Sequence, residues 1–200
     1  MPVIQITGGF LKSRKITFPS SKTLRPTLSQ IREAVFSILS SQWKIENGKW
    51  KINSIPNSSL LIPNFLDLFA GSGIMAFEAA SRGYSVTCIE RHAPTCKAIQ
   101  ENIKNLNADV TLLCGDAMMI LEKLSKEGKS FDIIYIDPPY HDNIYDKTLN
   151  KILSTGMLKP CGYIVIEHPT NVLPDFSKFE IIKQKKYSDK LITIVKSEKL

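Results

Sequence analysis

Asn64-Phe65-Leu66-Asp67-Leu68-Phe69, followed by Ala70-Gly71-Ser72-Gly73, is the stretch that decides the fold of this chain. The apolar run is typical of a buried strand, and the glycines allow a tight turn into a helix that helical spacing predicts over residues 74–82. Strand-like and helical runs then keep alternating, with further strands predicted at 85–89, 110–113, 131–136 and 163–167. This alternation predicts a parallel sheet covered by helices on both faces.

Hairpins are predicted on both sides of this pattern. Residues 3–7 and 10–16 are typical of two short strands around Gly8-Gly9, and a helix is predicted over residues 29–41. Residues 179–187 and 191–196 predict an antiparallel hairpin on the sheet edge.

A third hairpin is predicted around Asn47-Gly48, with Ile45 opposite Trp50 and Trp43 opposite Ile52. It lies in a segment that otherwise indicates little. We therefore expect three parts: a basic N-terminal hairpin and helix (1–41), an insertion or linker (42–62) and an α/β domain (63–200).

Positive charge is concentrated at the start of the chain. The 200 residues carry a formal net charge of +7 and a pI of about 9.2, which favours a polyanionic partner, nucleic acid ahead of a membrane surface. No acid precedes Glu33, whereas the same segment holds Lys12, Arg14, Lys15, Lys22, Arg25 and Arg32. A basic run is often only solvated surface, but the lack of counter-charge favours contact with nucleic acid.

Composition argues against several other classes of protein. No apolar run approaches the roughly 20 residues that a membrane-spanning helix needs, and the first residues lack the pattern of a secretory signal. The four cysteines form no C-x-x-C pair, so we expect reduced, mostly buried thiols in a cytoplasmic protein. The three histidines are scattered, and no metal site is expected.

Acids follow the predicted strands, at the edge where parallel sheets bind ligands. They are Asp67, Glu90, Asp116 and Asp137. Glu90 lies 17 residues after Gly73, where a carboxylate can accept hydrogen bonds from an adenosine ribose; this fits both a nicotinamide dinucleotide and S-adenosylmethionine (SAM). Asp67 favours SAM, because a carboxylate repels a pyrophosphate and attracts a sulfonium and an amino group.

Two of these features also have simpler explanations. Asp116 is placed for an adenine amine, but it could instead cap the helix that begins at Ala117. The two glycines could form a loop with no ligand.

The run Asp137-Pro138-Pro139-Tyr140 is an unusual way for a strand to enter a loop. The prolines fix φ and carry no N–H, so the carbonyls point in set directions with few local donors. With the Asp137 carboxylate and the flat face of Tyr140, they would suit the exocyclic amine of a base. The alternative is a rigid turn.

Taken together, these motifs resemble the class I SAM-dependent N-methyltransferases. Within that class, four N-terminal motifs resemble the RsmD family: Ile6-Thr7-Gly8-Gly9, Ser13-Arg14-Lys15, Leu24-Arg25-Pro26-Thr27 and Arg32-Glu33. The resemblance covers nearly the whole chain. It departs at residues 42–62, which are longer than expected, and at Tyr187-Ser188-Asp189-Lys190, which replaces Tyr-Gly-x-Thr, so no role is carried onto the last hairpin.

The resemblance implies a Rossmann-like domain with a mostly parallel seven-stranded sheet. It also implies methyl transfer from SAM to N2 of one guanine in 16S ribosomal RNA, with S-adenosyl-L-homocysteine as product. The expected substrate is a partly assembled small subunit, and the expected state is a monomer without metal or membrane partners.

The resemblance also assigns the expected site residues. The catalytic set is Asp137, Pro138, Pro139 and Tyr140. The cofactor set is Asp67, Phe69, Ala70, Gly71, Ser72, Gly73, Glu90, Arg91, Asp116 and Ala117. The RNA-binding set is Lys12, Arg14, Lys15, Arg25, Thr27 and Arg32, with Arg25 expected near the target guanine.

Two other functions remain open at this point. A DNA adenine or cytosine amino-methyltransferase shares Asp-Pro-Pro-Tyr, and an RNA-binding protein could keep the fold without turnover. His141 and His168 follow strand ends, where they either line the pocket or have ordinary loop roles.

Overall fold

The computed structural model describes residues 1–20, 26–46, 49–52, 62–139 and 143–197. Eleven strands and five helices lie within these ranges. The strands are β1 (Val3–Gln5), β2 (Lys15–Thr17), β3 (Trp43–Glu46), β4 (Lys49–Ile52), β5 (Asn64–Asp67), β6 (Ser85–Glu90), β7 (Val110–Cys114), β8 (Phe131–Ile136), β9 (Leu158–Pro169), β10 (Phe179–Tyr187) and β11 (Lys190–Ser197). The helices are α1 (Ser29–Gln42), α2 (Ile74–Ser81), α3 (Ala93–Leu106), α4 (Ala117–Lys126) and α5 (Ile144–Thr155).

Seven strands form the central sheet, in the order β10-β11-β9-β8-β5-β6-β7. The five strands from β9 to β7 are parallel, and β11 and β10 add antiparallel neighbours on one edge. The predicted sheet and its C-terminal edge hairpin are therefore confirmed.

Alternate residues of the central strands pack into two apolar layers, one on each face of the sheet. Phe65 packs with α1, α2 and α3 residues on one face, whereas the adjacent Leu66 packs with α4 and α5 residues on the other. Both faces are thus covered, which is why these strands are apolar throughout rather than alternating.

The N-terminal segment shares the first of these layers. Ile6, Leu11, Ile16, Val35 and Phe36 belong to the same buried cluster as residues of β5 and α2. The N-terminal strands are shorter than predicted, because the chain between them closes on itself through Ile6 N–Arg14 O (3.0 Å) and Ser13 N–Ile6 O (2.9 Å).

The hairpin of β3 and β4 has the predicted register. Trp43 pairs with Ile52, and Ile45 pairs with Trp50. The turn residues Asn47 and Gly48 lie outside the described residues.

All four cysteines are free. Cys88 and Cys96 are buried, but Cys114 and Cys161 are exposed, contrary to the prediction of mostly buried thiols. Cys114 ends the edge strand β7. Within the described ranges, no helix is long and apolar enough to cross a membrane, and no group of three or more potential ligands could hold a metal ion.

Candidate active site

Acidic side chains meet at the carboxyl edge of the parallel strands. Asp67 ends β5 beside Tyr135 of β8 and Cys88 of β6, and Glu90 ends β6. Asp137 comes directly after β8, whose last residue Ile136 pairs with Ile166 of β9. The structure thus brings the predicted acids to one edge of the sheet.

Asp67 is the most deeply buried of these acids. Its side chain is 1% exposed, and neither carboxylate oxygen has a hydrogen-bond partner of normal geometry among the described residues. Burial, followed by the nearby Glu90 carboxylate, raises the pKa of Asp67 to about 7, and the backbone amides of Ala76 and Phe69 oppose this shift. A buried carboxylate without a partner is costly, so this arrangement suits a bound cation.

Glu90 organises the glycine turn next to Asp67. Its Oε2 accepts from the Gly71 amide at 2.8 Å, and its Oε1 accepts from the His92 amide at 2.7 Å. Each carboxylate oxygen has a second lone pair, so Glu90 can hold the turn and still accept from a ligand hydroxyl.

Gly73 leads from this turn into α2 at a position that only glycine fits well. Its φ is +78°, and an added Cβ would lie 3.1 Å from Ile99 Cγ1 and 3.2 Å from Phe77 Cε2. Positive φ at Gly71 and Gly73 lets the backbone turn next to the acids without a side chain in the way.

Asp116 caps α4. Its Oδ1 accepts from the amides of Met118 (2.9 Å) and Met119 (3.1 Å). The simpler explanation for this residue is therefore correct as far as Oδ1 is concerned. The residue is exposed, and its Oδ2 makes no hydrogen bond within the described part of the chain, which leaves it able to accept from a ligand amine.

Asp137 lies close to two other carboxylates, Glu167 and Asp67. Burial raises its pKa to about 8, the Glu167 carboxylate adds to the rise, Lys190 opposes it and Asp67 adds a further part. The Asp137 residue as a whole is half-buried.

Glu167 and Lys190 are site neighbours that the sequence argument missed. Glu167 is fully buried; its Oε2 accepts from the Tyr135 hydroxyl at 2.6 Å, and its Oε1 pairs with the Lys190 ammonium. One signal was available, because Glu167 follows an apolar strand run just as Asp67, Glu90 and Asp137 do. Lys190 had no signal, since only the antiparallel pairing of β11 with β9 brings it to this edge.

The remaining predicted catalytic residues divide into two groups. Pro138 is buried and Pro139 is exposed. Tyr140 and His141 lie outside the described residues.

His168 is 1% exposed, with Nδ1 2.9 Å from the Val172 carbonyl and Nε2 2.9 Å from Thr193 Oγ1, which favours an ordinary structural role.

The predicted RNA-binding residues also divide. Lys12, Arg14 and Lys15 are exposed, as phosphate contact requires, whereas Arg25 lies outside the described residues. Arg32 is a correction: it is 3% exposed, and its Nε pairs with Glu78 Oε1 at 2.9 Å, so it cannot reach a phosphate.

Thr27 is a second correction, since its side chain is 6% exposed. Its hydroxyl lies beside the Tyr135 hydroxyl and lowers the pKa of that group, against the larger rise that burial causes. Thr27 therefore links the N-terminal part of the chain to the carboxyl edge of the sheet instead of facing solvent.

Comparisons with known proteins show which family the chain belongs to. The family model described as conserved hypothetical protein 95 matches residues 4–196. Ribosomal RNA small subunit methyltransferase D from Buchnera aphidicola subsp. Acyrthosiphon pisum is 37% identical over 166 residues, or 82% of this chain and 77% of that protein.

Solved structures extend the likeness to the fold. That of a candidate methyltransferase from Escherichia coli has a TM-score of 0.78 at 25% identity and covers 98% of this chain and 99% of its own. An RNA methyltransferase from Salinibacter ruber, in complex with S-adenosyl-L-homocysteine, has a TM-score of 0.60 at 14% identity and covers 88% of this chain and 96% of its own. At this identity the likeness shows the fold alone. The predicted methyltransferase fold is confirmed, and the chain belongs to the conserved hypothetical protein 95 family, the RsmD family that its motifs resemble.

Proposed function

We propose that this protein methylates small-subunit (16S) ribosomal RNA with SAM, and that the acceptor is the exocyclic N2 of one guanine. The proposal rests on two features at the ends of neighbouring strands. One is the buried Asp67, whose carboxylate oxygens have no hydrogen-bond partner among the described residues, and the other is the run Asp137-Pro138-Pro139. One position suits a cationic methyl donor, and the other suits an amine acceptor. The names of the relatives support ribosomal RNA as the substrate.

The residues at the sheet edge fit SAM better than a dinucleotide. SAM supplies a methyl group on a positively charged sulfonium. Asp67 would face its cationic groups, Glu90 its ribose and Asp116 Oδ2 its adenine amine, around a turn formed by Gly71 and Gly73. The shell around them would be Phe69, Ala70, Ser72, Arg91 and Ala117. A pyrophosphate would face the Asp67 and Glu90 carboxylates and be repelled.

Asp137 and the Pro138 carbonyl would hold the acceptor amine. The lone pair of guanine N2 is delocalised into the ring, so the amine is a poor nucleophile until it is oriented. Two acceptors on its N–H bonds would fix its direction and stabilise the positive charge that develops on nitrogen. Lys190 opposes the rise in the pKa of Asp137 that burial and Glu167 cause, so it increases the fraction of Asp137 that is ionised.

The N-terminal part, residues 1–41, would serve as the RNA-binding extension, with 42–62 as an insertion and 63–200 as the catalytic domain. Exposed Lys12, Arg14 and Lys15 would contact phosphates, and Arg25 would contact RNA near the target guanine, which must leave its stack to reach Asp137. Tyr140 would stack on that base. We expect a cytoplasmic monomer acting on a partly assembled small subunit.

The raised pKa of Asp67 predicts that the affinity for SAM depends on pH. Its pKa in the free protein is about 7, and a bound cation favours the carboxylate, so binding releases a proton below that pH. The affinity should therefore rise with pH, roughly tenfold between pH 5.5 and pH 7. Calorimetry on the wild type and on Asp67→Asn measures this, and the variant should show weaker binding with a smaller pH dependence.

His92→Gln is the control variant, because His92 lies next to the site and its amide donates to Glu90 Oε1 at 2.7 Å. His92→Gln should keep the wild-type slope. An Asp67→Asn variant that keeps the pH dependence would contradict the assignment of Asp67.

Glu90→Ala is expected to weaken SAM binding at least tenfold. The substitution removes both the acceptor for a ribose and the carboxylate that holds the Gly71 and His92 amides. Glu101→Ala, an exposed carboxylate on α3, is the matched control and should bind as the wild type does. Equal SAM affinity in the two variants would contradict the role of Glu90.

Transfer of tritium from labelled SAM tests the proposed function. We expect label in the RNA of small subunits that lack the modification. Label only in DNA would favour an amino-methyltransferase of the Asp-Pro-Pro-Tyr type, and no label in either would favour a non-catalytic RNA-binding protein.

A further inference from the structure

Phe10 presents an aromatic ring to solvent at the tip of the N-terminal hairpin. It is 68% exposed and lies in the turn between β1 and β2. A single exposed apolar side chain is ordinary in itself. What distinguishes Phe10 is the rigid backbone and the charged surface around it.

The backbone at Phe10 is fixed against the end of α2. The Phe10 amide donates to the Ser81 carbonyl at 2.7 Å, and the Leu11 amide donates to Ser81 Oγ at 2.8 Å. Ser81 Oγ in turn donates to the Gly8 carbonyl at 2.6 Å. A Cβ on Gly9 would lie 1.8 Å from the Ser81 carbonyl oxygen, so this close approach needs glycine.

Leu11 completes the anchor, since it is 5% exposed and belongs to the main core. The turn therefore buries one large side chain and holds the adjacent one outward. Because the backbone is already ordered, little conformational entropy is lost when a partner packs on the Phe10 ring.

The surface around the ring is cationic. Lys12, Arg14 and Lys15 are exposed, and none of them makes an ion pair with another described residue, whereas Arg32 and Arg82 share Glu78. No acid precedes Glu33 in the sequence. An aromatic face among unpaired cations is the arrangement with which proteins bind unstacked bases of single-stranded nucleic acid.

The turn is well separated from the cofactor end of α2. Ser81 is the last residue of α2, and Ile74, the first, follows the glycine turn. Eight helical residues span about 12 Å. A base on Phe10 would therefore be a different nucleotide from the one at Asp137.

We propose that Phe10 stacks on an unpaired base of the substrate RNA, at a position other than the methylated guanine, while the neighbouring Lys12, Arg14 and Lys15 contact its phosphates. This inference rests on the proposed function, and it adds a contact that anchors the substrate away from the chemistry.

Binding of undermethylated small ribosomal subunits, measured without SAM, tests the stacking. Phe10→Ala should raise Kd roughly 5- to 150-fold, which is the range for losing one stacked base. Phe10→Tyr should bind as the wild type does, whereas Phe10→Leu should recover only part of the affinity. Val3→Ala, on the same hairpin and 54% exposed, is the matched control and should have no effect.

The salt dependence separates stacking from charge. Phe10→Ala should leave the slope of log K against log salt unchanged, whereas Lys12→Ala should reduce its magnitude by about 0.7–0.9. In addition, single-stranded oligoadenylate should quench the new fluorescence of Phe10→Trp, measured over the signal of the native Trp43 and Trp50.

Three outcomes would overturn the stacking: a Phe10→Ala variant that binds subunits like Val3→Ala, a Phe10→Leu variant that binds like Phe10→Tyr, or a Phe10-dependent self-association that explains the exposed ring. The proposed function fails separately. If wild-type protein binds subunits through Phe10 but transfers no methyl group, only the catalytic assignment is wrong.

Discussion

Asp137→Ala is expected to reduce methyl transfer to small subunits by roughly 10²- to 10³-fold or more, while SAM affinity stays within a few-fold of wild type. The substitution removes the carboxylate that would accept from the target amine and leaves the glycine turn, Glu90 and Asp67 in place. Single-turnover transfer measures the first effect, and calorimetry measures the second.

Stability measurements should separate this loss from misfolding. The pKa of Asp137 is raised to about 8, above the usual value of 3.8, mainly by burial and by Glu167. Protonation therefore favours the folded state, and the ionised carboxylate destabilises it as pH rises from about 4 to about 8. Removing the carboxylate relieves that cost, so Asp137→Ala should unfold at an equal or higher denaturant concentration than wild type at pH 8.

The control is Asp109→Ala, an exposed carboxylate just before β7, at the opposite end of the strands. It should keep full activity. Wild-type turnover by Asp137→Ala would contradict the assignment of the catalytic edge, and a loss of stability in step with activity would indicate a structural role for Asp137.

Glu78→Gln is expected to reduce the free energy of unfolding by about 3–5 kcal/mol, the usual cost of breaking a buried ion pair. Glu78 is fully buried, pairs with Arg32 and Arg82, and accepts from the Thr7 amide at 2.8 Å. The near-isosteric amide leaves the buried Arg32 guanidinium without a counter-charge. For a chain of this size, the melting temperature should fall by about 6–20 °C.

Glu122→Gln is the control for this prediction. Glu122 pairs with Lys151 on an exposed surface, where an ion pair adds little, so the variant should melt like wild type. Arg32→Met in the Glu78→Gln background should recover part of the loss, because it removes the unpaired charge. Equal melting temperatures for Glu78→Gln and Glu122→Gln would contradict the view that this pair ties the N-terminal extension to α2.

The parallel sheet and its acidic edge could be predicted because both follow from local sequence. Buried strands must be apolar, and parallel strands place their ends at one edge, so Asp67, Glu90 and Asp137 had to lie close together. Asp116 shows the limit of this argument. The same spacing predicts a helix cap and a ligand contact, and one carboxylate oxygen makes the cap while the other stays free to accept.

Long-range contacts explain what the sequence could not predict. Arg32 is one of several basic residues in an acid-free segment, and its buried partner Glu78 is 46 positions away. Nothing near Arg32 in sequence distinguishes it from exposed Arg14 or Lys15. Lys190 likewise reaches Glu167 only across the pairing of β11 with β9.

Thr27 connects the N-terminal part of the chain to the acidic edge of the sheet. Thr27 lies beside Tyr135, whose hydroxyl donates to Glu167 next to Asp137.

Mass mapping of the modified nucleotide identifies the atom that receives the methyl group. Undermethylated small ribosomal subunits are incubated with the protein and SAM, and their 16S RNA is digested and sequenced by mass. We expect one additional methyl group, on N2 of a single guanine, that is absent when Asp137→Ala replaces the wild-type protein. A methyl group on a ring nitrogen, a ribose or another base, or no added mass in the RNA, would contradict it.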